Sequence, residues 1–213
     1  MDLITGLVSL VILIYSAILH EIAHGYVAER LGDPTARLMG RLTLNPKNHI
    51  DPVMSVLLPL VLIISGSPVI FGAAKPVPID AFNLRDGRKD VAIVSLAGPV
   101  TNFLIAILAA LVVKFLGGIL LGAVSGVYIL WFLLATVKIN LLLGIFNLIP
   151  IPPLDGSKVF ALILPERDAN TYLSLGSIGI FIIFFLLMFP IGGFSLGSII
   201  GNLLSFSQHL LGL

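Results

Sequence analysis

Between Leu3 and Leu19 the chain carries no charged side chain, and long apolar runs recur at 52–71, 91–115, 121–149, 171–190 and 195–212. Runs of about 20 apolar residues are what a helix needs to cross roughly 30 Å of hydrocarbon. Composition points the same way. Of 213 residues, 58% are hydrophobic and 11% charged, against about 25% charged in a soluble domain. The mean hydropathy is +1.12. Lipid is therefore the solvent, and one helical membrane domain over 1–213 is expected. A net charge of +1 gives no reason to expect nucleic acid or an acidic partner. With no cysteine, disulfides and thiolate ligands are excluded, so any metal site must use nitrogen and oxygen. The first run lacks the positive n-region of a signal peptide, since Asp2 is its only charge before Glu21, and it is expected to stay as a span.

Breakers divide the chain. A first helix is expected from about Leu3 to Leu31, with Gly32 as C-cap and Asp33-Pro34 as stop. Segment 52–71 is apolar but interrupted by Pro59, Gly66 and Pro68. The stretch "KPVPID" (75–80) reads as extended chain between prolines. "NLIPIPPLDG" (147–156), with three prolines in four residues, must break the helix before it. The expected fold is an all-α polytopic membrane protein with about five to six transmembrane helices. A catalytic core over about 1–165 precedes C-terminal spans over about 171–212. Eight of the twelve basic residues flank 52–71: Arg30, Arg37, Arg41 and Lys47 before it, and Lys75, Arg85, Arg88 and Lys89 after it. Basic loops stay cytoplasmic. A segment with both flanks on one side must dip in and return, so a re-entrant or extended segment is expected there, with an ordinary span as the alternative. The N-terminus then lies outside.

The first helix ends on "HEIAH" (20–24). His20 and His24, at i and i+4, share one helix face and suit two nitrogen ligands of one zinc ion. Glu21 is turned about a quarter turn away, within reach of a water that the metal activates. Chance would supply about 0.001 such motifs in this composition. A carboxylate at this depth also costs about 2.5–3.5 kcal/mol, a cost that chemistry would explain. A catalytic zinc wants a third protein ligand. Arg30 stands where the extended soluble motif has a histidine, and Asp155, just after the unwound proline run, is the best-placed carboxylate. Its alternative role is a helix cap.

"HEIAH" together with "NLIPIPPLDG" resembles the site-2 protease family of intramembrane zinc metalloproteases, in the compact prokaryotic form without PDZ or CBS domain. "NPKNHIDP" (45–52), "FGAAKPVPI" (71–79) and "SLAGPVTN" (95–102) extend the likeness over residues 15 to 156. The resemblance implies one zinc per chain on His20, His24 and Asp155, with Glu21 catalytic and Asn147 steadying substrate or oxyanion. It implies hydrolysis of a peptide bond in or near the span of single-span membrane proteins. The place would be a prokaryotic cell membrane, with the site toward the cytoplasm. From the extended reading of "FGAAKPVPID" (71–80), and not from the resemblance, residues 71–74 are expected to pair with the unwound substrate, with a plain cytoplasmic loop as the alternative.

Other polar residues have simpler readings. Asn147 could instead satisfy helix-end carbonyls. Asn140 is expected to make an interhelical hydrogen bond. Asn102 either lines the cavity or packs beside Pro99. His49 reads as a loop histidine, His209 as interfacial, and Lys138 has no evident partner. The rival function is a zinc transporter or channel using the same helix, which should carry more metal-binding residues along its path. A second rival, a membrane metalloprotease with a later glutamate as ligand, has only Glu166 to offer. Retention of Glu21 beside both histidines speaks against a catalytically dead scaffold.

Overall fold

The computed structural model describes residues 3–65, 75–122, 124–190, 192 and 195–213. Helix α1 (Leu3–Leu31) is continuous through the first apolar run. At its end the chain turns on Asp33, whose backbone N–H donates to Ala28 O at 2.9 Å. The Asp33 side chain is fully buried. It accepts from Thr35 N–H (3.1 Å), the Thr35 hydroxyl, Asn83 Nδ2 (3.0 Å) and Asp80 N–H (2.8 Å). Burial opposes its ionisation, yet these hydrogen bonds outweigh that and hold the carboxyl below its ordinary range. The clasp puts Thr35 and Asn83 side by side, so the loops after α1 and before the next long helix share one end of the molecule.

A short helix α2 (Thr35–Leu38) follows, then a wide helical segment Pro52–Leu57 that runs into α3 (Leu58–Ile64). Residues 75–80 are extended or irregular. Helix α4 (Gly87–Leu120) and helix α5 (Val124–Asn147) form the centre of the bundle with α1. Ala106, Ala109 and Ala110 of α4 pack on Val137 and Leu141 of α5. Small residues here let backbones approach closely, which is how helices associate where lipid is as apolar as the side chains. After Asn147 the prolines unwind the chain over 148–154, and α6 (Asp155–Phe160) begins on the predicted ligand itself. A methyl group on Gly156 would lie 2.1 Å from the Leu148 carbonyl oxygen. Glycine there lets α6 close onto the end of α5, which places Asp155 inside the bundle.

The chain ends in α7 (Glu166–Ser174), α8 (Gly176–Met188) and α9 (Leu196–Leu210). Among the described residues, three helices are long and apolar enough to cross a membrane: Leu3–Leu31, Gly87–Leu120 and Ser125–Asn147. A fourth is reached if Glu166–Ser174 and Ile178–Met188, bent by 72°, count as one span. The molecule is thus an all-helical membrane protein in its described parts. The C-terminal helices, with 13 and 15 residues, fall short of the length expected from the hydropathy runs alone.

Candidate metal centre

Helix α1 presents His20 and His24 on its buried face, each 6% exposed. Their rings meet edge to face with centroids 4.6 Å apart. Asp155, 7% exposed, reaches them from the first turn of α6. Its Oδ2 lies 3.1 Å from His20 Nε2 and 3.2 Å from His24 Nε2, and the two nitrogens are 3.0 Å apart. Lys158 Nζ holds the other carboxylate oxygen at 3.2 Å. Among the described residues these three form one group able to hold a metal ion. The helix-cap alternative for Asp155 is not what the geometry shows, because Leu154 occupies the cap position and Asp155 is the first residue of α6, its carboxylate turned to the histidines and Lys158.

The protons decide what the triangle can hold. His24 Nδ1 faces the Val94 carbonyl at 2.7 Å, and a carbonyl only accepts, so Nδ1 carries the hydrogen. His20 Nδ1 faces Asn102 Oδ1 at 2.6 Å, with the same consequence. In neutral imidazoles both Nε2 atoms then carry lone pairs. Three acceptor atoms then converge in a buried pocket, and a cation at their centre would relieve their mutual repulsion. The spacing suits zinc. Ligand atoms about 2.0–2.1 Å from a tetrahedral ion lie about 3.3 Å from one another. Two imidazoles whose far nitrogens are hydrogen-bonded, plus one carboxylate, make an ordinary catalytic zinc set with a position left open.

Helix α4 makes the back wall. A methyl group on Gly98 would stand 2.5 Å from His20 Nε2 and 2.6 Å from His24 Nε2, so only glycine lets the two rings lie against this helix. Pro99 follows it inside α4 and lacks the N–H that would close on Ser95. In this turn, one hydrogen bond short, the neighbouring Val94 carbonyl serves His24. Glu21 is partly buried, and its Oε2 accepts from Val77 N–H at 2.7 Å. Val77 sits between Pro76 and Pro78 and owns the one backbone donor of that tripeptide. Lys75 N–H donates to His49 O at 2.8 Å, while Arg41 donates to the carbonyls of Lys75 (2.8 Å) and Pro76 (3.2 Å). This extended strap seats Glu21.

Asn147 lies outside the triangle, and its amide nitrogen donates to the Leu143 carbonyl of its own helix at 3.0 Å. Asn140 makes the expected interhelical bonds, to Asn102 and Ser16. His49 is a loop residue but 1% exposed, its Nε2 donating to the Thr43 carbonyl. His209 and Lys138 are exposed, away from the centre. Residues 71–74, expected to pair with substrate, lie outside the described residues. Sequence reasoning missed Gly98, the Val94 carbonyl and the Val77 N–H. Only Gly98 had a signal, standing one turn before Asn102 as His20 stands one turn before His24.

A profile of peptidase family M50 matches residues 8–128 and 119–190. The chain belongs to that family. This is the membership expected from the likeness to the site-2 proteases, and it makes the protein a membrane-embedded metallopeptidase. Bacillus subtilis (strain 168) has a relative, provisionally named zinc metalloprotease YwhC, that is 34% identical over 186 residues, covering 86% of this chain and 81% of the relative. The provisionally named zinc metalloprotease Rip2 of Mycobacterium tuberculosis H37Rv is 33% identical over 174 residues, 81% of this chain and 62% of that protein. Its counterpart in Mycolicibacterium smegmatis is 36% identical over 142 residues, covering 66% of this chain and 51% of that protein. No solved structure matches the chain. None of these comparisons supports a zinc transporter.

Proposed function

We propose that this chain is an intramembrane zinc metalloprotease that cuts single-span membrane proteins in or near their transmembrane segment. His20, His24 and Asp155 hold one zinc ion, and Glu21 is the general base and acid. The observation that carries this reading is the buried triangle of three acceptor atoms 3.0 to 3.2 Å apart. It stands beside the Glu21 carboxylate, whose Oε2 accepts from Val77 N–H at 2.7 Å. When bound, zinc polarises a carbonyl and makes water nucleophilic at neutral pH. Glu21 Oε takes the proton of the attacking water and delivers it to the departing amine nitrogen as the peptide bond breaks. Val77 N–H keeps that carboxylate aimed. The buried walls of α1 and α4 exclude bulk water from the ligands. Asn147 steadies the substrate carbonyl once its amide leaves Leu143. A helical substrate hides its carbonyls in its own hydrogen bonds, so the scissile region must unwind first.

The test is incubation of the purified full chain in detergent with a panel of single-span membrane proteins. Cleavage within or beside a span, lost on chelation and restored by zinc, is expected. Cleavage that persists without metal would refute the reading.

We further propose that residues 1–213 form one membrane domain with five to six spans, α8 and α9 adding to the long helices and segment 52–71 dipping in as a hairpin. Two contacts support the hairpin. The segment leaves from His49 and returns at Lys75, and these residues are hydrogen-bonded to each other. In between, Ile63 packs where a methyl on Gly6 would be 3.0 Å away. Gly6 lies fifteen residues above Glu21 on α1, about 22 Å along the helix axis. The basic loops support a topology in which the shared His49–Lys75 end, and the metal centre near it, face the cytoplasm, in what we take to be a prokaryotic cell membrane. Cysteines introduced at the exposed positions Leu38 and Phe82 should be protected from an impermeant thiol reagent on intact cells, whereas Leu121→Cys should react. Reaction at position 82 with protection at 38 would make 52–71 an ordinary span.

A further inference from the structure

Three polar side chains stand behind His20 in the middle of the bundle: Asn102 on α4, Asn140 on α5 and Ser16 on α1. Both asparagines are fully buried and Ser16 is 5% exposed. Their hydrogen bonds run in one direction. The Thr136 carbonyl only accepts, so the amide nitrogen of Asn140 must face it, at 2.9 Å. The same nitrogen donates to Ser16 Oγ at 2.9 Å. Asn140 Oδ1 is then the atom turned toward Asn102, whose Nδ2 donates to it at 2.9 Å. That leaves Asn102 Oδ1 facing His20 Nδ1 at 2.6 Å.

His24 needs no such relay, because a backbone carbonyl already meets its Nδ1. His20 has no carbonyl in that place, and the asparagine pair does the same job at one remove. We infer that Asn102, oriented through Asn140 by the Thr136 carbonyl, is a positioning residue that locks His20 in its Nδ1–H tautomer and aims the Nε2 lone pair at the metal position. This rests on His20 being a zinc ligand. Were Asn140 turned over, two carbonyl oxygens would oppose each other at Thr136. Were Asn102 turned over, its NH₂ would demand a lone pair on Nδ1 and put the hydrogen on Nε2, between the ligands. Partners of this kind set ligand orientation in zinc sites, and losing one typically weakens the metal about 10–100-fold.

The competing role is glue, two asparagines joining three helices. Zinc affinity by chelator competition, measured on the folded full chain in detergent beside its unfolding temperature, separates the two. Asn102→Leu keeps the volume and removes the acceptor, and zinc should bind about 10–100-fold more weakly. Asn102→Asp restores an acceptor for Nδ1–H but gives up the donor to Asn140. Affinity should return to within about threefold of wild type even though the interhelical bond is lost. Asn140→Leu leaves Asn102 free to turn and should fall between wild type and Asn102→Leu, which keeps the test open if that variant does not fold. The d–d spectrum of the cobalt-substituted protein should shift in Asn102→Leu and not in Asn102→Asp. Wild-type zinc affinity in the two leucine variants, with only their unfolding temperatures lowered, overturns the inference alone. A wild-type chain that binds no zinc overturns the metal reading and this inference with it.

Discussion

Glu21→Gln is expected to keep its zinc and lose its proteolysis. Glutamine presents an oxygen of the same shape to Val77 N–H, so the hydrogen bond now made at 2.7 Å survives and the strap stays seated. The two histidines and Asp155 are untouched, so metal content should equal that of wild type. What disappears is the ability to hold a proton at that oxygen. General acid–base groups typically contribute about 10²–10⁴ in rate, and turnover of a membrane substrate should fall by at least that range. A variant that loses zinc as well would place Glu21 among the ligands. One that cleaves at the wild-type rate would remove it from the chemistry.

The features visible in sequence were those that a metal or a backbone break imposes. HEIAH is legible because two ligands on one helix must be a turn apart, and the structure puts both imidazoles on the buried face of α1. Asp155 is legible because prolines at 150, 152 and 153 end α5 at Asn147 and force the chain to re-enter the bundle. Asn102 kept two readings, since nothing in an apolar helix says which face it turns to α1. The Val77 N–H and the Val94 carbonyl leave no side-chain signature at all. At the C-terminus, hydropathy alone marks a span over 171–190, but the helical axis bends by 72° between α7 and α8. A sliding average of hydropathy does not register such a bend.

Asp155→Ala should have the largest effect of any single change. On the proposed reading the carboxylate supplies one of three protein ligands, and its contacts with His20 and His24 tie α6 to α1. Without it, two neutral nitrogens 3.0 Å apart remain, with Lys158 released nearby. Two imidazoles without a carboxylate are a poor zinc site, and a cation left beside an empty pair of nitrogens disfavours a second one. Proteolysis should then be abolished, not merely slowed, because the loss removes the Lewis acid as well as its ligand. The most direct measurement is the zinc content per chain of the wild type and of Asp155→Ala, purified side by side with unfolding curves to show that both are folded. One zinc per wild-type chain and background zinc in the variant is the predicted pair of values, whereas no zinc in the wild type, or full zinc in a folded Asp155→Ala chain, would contradict the assignment of this centre.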